Sequence, residues 1–251
     1  MTRAFRVAAA LGAMTILIAP RALAQAATPN PFGIVDNSFI VEEAFNQDRG
    51  VVQTMLQAFR FSDDGRVEST VTQEWPLGGP RHQFSYVIPF VTFNPAHGLG
   101  DIPINYRFQL ATEGARLPAM APRLTIILPT ATRLLRDEDD AVGWEVNLPA
   151  SKRFGYLYVH GNIGTTHVLG ETTPFGGASA IVAVRPMLNA MVESIFRPDS
   201  VTLSPGVRFG WNIGDRQFVV GVGAPVTWRD DDHSTAALMY VSWEAPFTKN
   251  R

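Results

Sequence analysis

Between residues 101 and 110 apolar and polar side chains alternate. Ile102, Ile104, Tyr106, Phe108 and Leu110 are apolar; Asp101, Asn105, Arg107 and Gln109 are polar, and Pro103 alone interrupts their series. Successive side chains of a β-strand point to opposite faces, so the segment predicts a strand with one apolar and one wet face. The same period recurs. Val201, Leu203, Pro205, Val207, Phe209 and Trp211 oppose Thr202, Ser204, Gly206, Arg208 and Gly210. Phe84, Tyr86, Ile88 and Phe90 oppose Gln83, Ser85 and Val87, and Trp144, Val146, Leu148 and Ala150 oppose Glu145, Asn147, Pro149 and Ser151.

Extending the search gives about twelve strand candidates, an even number. They are 51–62, 66–75, 81–93, 100–110, 121–129, 142–151, 154–165, 177–185, 188–196, 201–211, 217–226 and 235–247. Most are roughly 9–12 residues long, the length a tilted strand needs to cross a bilayer. Two alternate poorly: 66–75 is polar on both faces and 177–185 is small and apolar. If both termini lie on one side, the connections 63–65, 94–99, 130–141, 166–176, 197–200 and 227–234 fall on the other. Three of the four longest connections are on that far side, and only 111–120 is not. Bacterial outer-membrane barrels show this asymmetry of short periplasmic turns and longer outer loops.

The ends of the chain carry their own signals. Arg3 and Arg6 precede an apolar run at 7–18 and a small-x-small site at Ala22, Leu23 and Ala24, the pattern of a secretory signal peptide cleaved near Ala24. Arg3 and Arg6 are not adjacent, so a Sec-type route is the simpler expectation. The run is too short for a transmembrane helix. Residues 25–37 read as a linker. Residues 38–48 are either a short amphipathic helix capped by Ser38 or an extended arm, with Gly50 ending either one. Within 25–50, Phe39, Glu42, Glu43 and Phe45 are the residues expected to plug the lumen of a barrel spanning 51–251. At the other end Met239, Val241, Trp243, Ala245 and Phe247 are apolar at every second position. Trp243 and Phe247 are the expected signal to the barrel-assembly machinery, although four residues follow.

Composition narrows the chemistry. Removing residues 1–24 takes three of 21 basic residues and none of 23 acidic ones, leaving 18 against 23, a balance of −5. That argues against nucleic-acid binding, which needs a clustered positive surface. Cysteine is absent, so disulfides and thiolate metal sites are excluded. His82, His97, His160, His167 and His233 have no metal-binding spacing, and lumen or loop solvation is expected for all five. No GxSxG motif is present, and His233 and Ser234 meet only as neighbours in a loop. No catalytic residue, metal or cofactor is therefore assigned.

The charges on the strands fall mostly on polar faces. A charge costs roughly 2–4 kcal/mol at a lipid-facing midplane and little in a wet lumen. Asp101, Asn105, Arg107, Gln109, Glu145, His160, Glu193, Arg208 and Glu244 are thus the expected lumen-lining residues, either as a closed salt-bridge network or as a solute pathway. The acidic runs 137–140 and 230–232 fall in outer loops, where solvation is the simplest account and divalent-cation bridging to lipopolysaccharide the alternative. Trp75, Tyr106, Phe108, Tyr156, Trp211, Trp228 and Trp243 suit interfacial girdles.

Several stretches resemble a family of bacterial outer-membrane transporters often labelled as meta-pathway phenol-degradation proteins. They are 39–50 (FIVEEAFNQDRG) with Val51, Val52 and Gln53; Glu74 to Gly78 with His82 to Tyr86; Gly98 to Asp101 before Asn105, Tyr106 and Arg107; Pro122, Arg123 and Leu124 with Leu128, Pro129 and Thr130; and Val146 to Pro149. The likeness runs from about residue 39 to 164 and weakens beyond. It implies passage of hydrophobic or aromatic compounds but assigns no binding residue.

The expected protein is therefore an all-β, antiparallel transmembrane barrel of about twelve strands with a short N-terminal segment entering the lumen. Its expected place is the bacterial outer membrane, with lipid, lipopolysaccharide, the assembly machinery and a small-molecule solute as partners. A passive channel is the first function; a non-conducting structural barrel and a soluble periplasmic binding barrel are the alternatives.

Overall fold

The computed structural model of the protein describes residues 32–34, 38–135, 141–230 and 232–247. The signal-peptide segment and the acidic run 137–140 lie outside the described residues. The strands are β1 (Val51–Phe61), β2 (Val67–Pro76), β3 (His82–Phe93), β4 (Ala96–Leu99), β5 (Ile102–Phe108), β6 (Ala119–Met120), β7 (Arg123–Leu128) and β8 (Gly143–Phe154). Then follow β9 (Leu157–Val168), β10 (Glu171–Arg185), β11 (Leu188–Phe196), β12 (Val201–Ile213), β13 (Arg216–Gly223), β14 (Val226–Arg229) and β15 (Asp232–Pro246). Among the described residues the helical content is one 3-10 turn, Arg133–Leu135.

Twelve of these strands build a closed antiparallel wall. Each pairs with the next in the order β1-β2-β3-β5-β7-β8-β9-β10-β11-β12-β13-β15, and β15 returns to β1 from Val51↔Pro246 to Phe61↔Ala236. Closure leaves neither edge of the wall unpaired. The three short strands are additions: β4 extends β3, β6 pairs β8, and β14 bridges β12 and β15. The rim where β1 begins and β15 ends is called proximal here, and the opposite rim distal.

Three expected outer connections carry strand: 94–99 contains β4, and 227–234 contains most of β14 and the first residues of β15. The connection 166–176 is not a long loop, because β9 and β10 continue through it and turn on Leu169 and Gly170 alone. Both have positive φ, 52° and 79°, as a two-residue turn matching the strand twist requires. The threonines at 165, 166, 172 and 173 favour extended backbone and carry the pairing up to the turn.

The barrel is polar inside and apolar outside. Gln53, Gln83, Ser151, His160, Asn189, Glu193, Ser204 and Ser242 are all at most 1% exposed, and all face inward. Leu56, Phe90, Tyr106, Leu124, Val146, Ile163, Val207 and Met239 face outward and are exposed. A soluble protein would invert this arrangement. Aromatic pairs gather near the proximal rim, with Trp75 against Phe247 at 5.6 Å and Trp211 against Phe218 at 5.8 Å. Three histidines depart from the solvation expected of them, His160 because it is buried in the lumen. His82 lies against Tyr106 on the outer face, its Nδ1 2.6 Å from the phenol oxygen, and His167 stacks on Trp144 at 5.4 Å. Both have the parity of the apolar face, so they belong with the girdle aromatics.

Candidate functional site

Residues 38–48 are neither a helix nor a paired arm. They form irregular backbone inside the lumen, entered from residues 32–34. There Met187 N donates to Phe32 O, and Gln217 Nε2 donates to Gly33 O, both from proximal turns of the wall. The segment climbs to Phe39–Val41, descends past Ala44 and Gln47, and joins β1 at the proximal rim. Irregular backbone off the surface must find partners for its amides. Here the wall's side chains supply them. Glu193 accepts from the amides of Phe39, Ile40 and Val41 at 3.2, 3.0 and 3.0 Å. Asn162 accepts from Glu42 N, Ser151 from Ala44 N, Gln109 from Asn46 N and Gln83 from Gln47 N, at 2.7–3.1 Å. A helix would satisfy those amides internally, so the lumen chemistry selects the open conformation.

The segment is two-sided, and so is the lumen. Phe32, Ile34 and Phe39 pack on Ile181, Met191, Val219, Leu238 and Tyr240, which line the half of the wall built by β10, β11, β13 and β15. The Phe39 ring lies 5.2 Å from that of Tyr240. It fits there because Gly206, Gly221 and Gly223 face it; a Cβ on Gly206 would come within 2.8 Å of Phe39 Cε2. On the other side Glu42, Asn46 and Gln47 meet the polar half.

Arg107 is the centre of that polar half. Its Nη1 is 2.9 Å from Glu42 Oε1, its Nε donates to Asn46 Oδ1 at 2.8 Å, and it also donates to the carbonyls of Glu43 and Phe45. Glu74 lies 3.8 Å from it. Arg123 pairs closely with the other oxygen of Glu42 and, at 2.7 Å, with Glu145, which also accepts from Thr166. Glu43 is buried, accepts from Ser38 Oγ at 3.3 Å and lies 3.7 Å from His160 Nε2. Burial pushes its carboxyl above the ordinary value, while the Arg208 charge and the Ser38 contacts pull the other way. His160 in turn meets Ser151 Oγ at 2.7 Å. Ser151 also accepts from Ala44, so this hydroxyl is engaged in holding backbone.

The remaining expected lumen residues are placed as follows. Asn105 donates to Ser85 and accepts from Thr125, bracing the wall. Gln109 both accepts from and donates to the segment. Asp101 sits just beyond β5, where its Oδ1 accepts from Ala131 N at 2.9 Å and fixes the distal rim. Glu244 is opposite Gln53 near the proximal rim. Arg208 is 3% exposed beside Asn189. Phe45 packs edge-on against Tyr158 at 5.7 Å. Trp243 faces outward opposite Thr54, and Phe247 N donates to Gly50 O. Arg123, Glu74, Gln83 and Asn162 were not among the expected site residues. For Arg123 the signal was present: Arg123, Thr125 and Ile127 continue one face of their strand.

Above the segment lies a cavity of about 430 Å³. One side of it is Arg107, Arg123, Glu145 and Asn147, the other Met55, Gln57, Ile195, Arg197 and Tyr240; Phe39, Ile40 and Glu42 form its floor. A second cavity of about 350 Å³ shares Ile40, Ile195 and Arg197 with it and reaches distal residues Phe61, Thr227 and Ser234. The segment thus crosses the lumen below these two cavities, and a further opening of about 700 Å³ lies on its proximal side, between Phe45, Asn46, Arg81 and the 109–113 stretch. Among the described residues no cluster of His, Asp or Glu is arranged to hold a metal.

Solved structures share this architecture. A structure described as a KdgM porin is 6% identical, with a TM-score of 0.55 over 78% of this chain and 99% of that one. The same porin in complex with disordered oligogalacturonate is 7% identical with a TM-score of 0.52, covering 79% and 99%. The COG4313 outer membrane channel from Pseudomonas putida F1 is 10% identical with a TM-score of 0.56, covering 77% and 92%. The fold is that of outer-membrane channel barrels. No family model and no curated protein matches the sequence.

Proposed function

We propose that this chain is an outer-membrane channel for passive movement of small molecules, obstructed on its proximal side by its own residues 32–34 and 38–48. The polarity of the barrel carries the proposal. An apolar exterior with a buried polar interior suits a wall in lipid around an aqueous lumen, and no soluble binding barrel needs it. The likeness to channel barrels supports the same conclusion. The N-terminal segment is held by hydrogen bonds, ion pairs and a buried apolar cluster, but by no strand pairing, so its release leaves every ladder of the wall intact. Its Glu42 carboxylate is matched by lumen arginines, which suits a stopper docked in a polar lumen. The sequence resemblance to outer-membrane transporters labelled for phenol degradation extends the proposal to hydrophobic or aromatic solutes.

A non-conducting structural barrel is the second reading, favoured by the many contacts that hold the segment across the lumen. Outer-membrane fractionation with heat-modifiable gel mobility checks the location, and swelling of liposomes that hold the refolded chain checks transport. Protein that stays in solution without detergent would overturn the membrane assignment. Swelling at the protein-free rate for every small solute tested would favour the structural barrel.

A further inference from the structure

Arg107 and Arg123 stand directly opposite each other on β5 and β7, facing the same lumen. Like charges at such positions repel, since directly opposed Cβ atoms are only about 5 Å apart. The pair is tolerated because Glu42 lies between, one carboxylate oxygen on each guanidinium. Glu74 and Glu145 flank the two arginines, but neither bridges them. Arg123 Nε is a buried donor that has no acceptor among the described residues. All three side chains line the distal cavity, so the bridging carboxylate is reached from the distal mouth. Across that cavity Met55, Ile195 and Tyr240 offer apolar surface beside Gln57 and Arg197, and Phe39 lies in its floor.

We infer that the Arg107–Arg123 pair is a carboxylate-binding site that Glu42 occupies in the closed state, and that its solute is a small carboxylate with a compact apolar body. The inference rests on the channel assignment for its purpose, and adds to it the class of solute. A solute carboxylate takes both guanidinium contacts while its apolar body lies on the Tyr240 side. Glu42 is then released, and with it the contacts that Arg107 makes to Asn46 and Phe45. Solute and segment compete for one site, so binding of the first favours undocking of the second. A neutral solute of the same shape lacks that lever.

The test uses the refolded full chain with benzoate and its neutral analogue benzamide as probes. Affinity is measured by calorimetry or saturation-transfer NMR, and open probability in planar bilayers separately. Benzoate is expected to bind at least about tenfold tighter than benzamide, the factor a hydrogen-bonded charge supplies. Glu42→Gln removes the competitor and is expected to tighten benzoate about tenfold, whereas Arg123→Gln abolishes the preference. Equal affinity of the wild-type chain for the two probes overturns the site, and this comparison needs no variant to fold. So does a Glu42→Gln chain that keeps its heat-modifiable mobility yet binds benzoate no more tightly than wild type. Affinity is read apart from conductance, so the two claims fail separately. Selective benzoate binding with silent bilayers refutes the channel and supports the site; conducting bilayers with equal affinities refute the site alone.

Discussion

Replacing Phe39 with Ala strikes the docked segment and spares the wall. The ring is 6% exposed, packs 5.2 Å from Tyr240, and occupies a recess that three glycines leave open. Truncating a buried Phe to Ala costs ~3–5 kcal/mol in a protein core. Phe39 also borders the distal cavity, where water can enter the vacated space, so the lower end applies. About 3 kcal/mol corresponds to about a hundredfold loss in the docking equilibrium. No strand ladder includes Phe39, so the loss falls on docking rather than on barrel melting. Gly221→Ala attacks the same contact from the wall, because its Cβ would overlap the ring tip. Once the ring is gone, the nearest remaining neighbour of that Cβ is Arg208 Cβ at 3.3 Å, a far smaller conflict. The two substitutions are therefore expected to be strongly non-additive, as neighbours sharing one contact are. Hydrogen exchange at the amides of Phe39, Ile40 and Val41, which donate to Glu193, reads docking directly. Each single variant is expected to speed their exchange about a hundredfold, while β5 and β15 stay protected, and the double variant to be no worse than Phe39→Ala. Additive losses, or unchanged exchange in Phe39→Ala, would refute the cradle.

Docking should also depend on pH. The buried Glu43 carboxyl is raised above its ordinary value, facing Ser38, His160, Arg208 and Arg107, so the docked state holds its proton more tightly than the released state. That contribution is fully present below the ordinary carboxyl pKa and is lost as pH rises through the raised one. Exchange at residues 39–41, corrected for its intrinsic rate, is expected to accelerate over that window in the wild type and to accelerate less in Glu43→Gln. On the outer face, Val207→Arg places a charge where lipid is expected and should destabilise the barrel in vesicles by roughly 2–4 kcal/mol, with a much smaller effect in a polar mouth position. Urea titration in vesicles followed by gel mobility measures it; a neutral outcome would mean that this face is not in hydrocarbon.

The wall was legible in the sequence, because each strand writes its own period. The strand 188–196 has the same bounds in the structure, and 51–62 and 201–211 shift by at most two residues. Strands 66–75 and 177–185 alternated poorly for a reason now visible. Thr70, Thr72 and Glu74 face the lumen while Ser69 and Gln73 face out, and Ile181 faces inward because the apolar half of the lumen holds Phe39. An inner face that packs on a docked segment need not be polar. The conformation of 38–48 was not legible, since its amides bond to side chains between 36 and 154 residues away in sequence. Arg107 stood out because its whole strand alternates. Arg123 did not, because Pro122 and a short strand of six residues obscured its face. Asp101 continues the polar face in sequence, but the strand begins only at Ile102 and the Asp101 carboxylate turns to the 131 loop.

The central claim is a lumen open except for a stopper supplied by the chain itself. Single-channel recording of the wild-type chain beside Phe39→Ala tests it most directly. Wild type is expected to stay closed with rare openings, and Phe39→Ala to dwell open far longer at the same unit conductance. A Phe39→Ala chain that releases residues 39–41 to exchange yet stays as silent as wild type would contradict it, and would leave a barrel closed by its own wall.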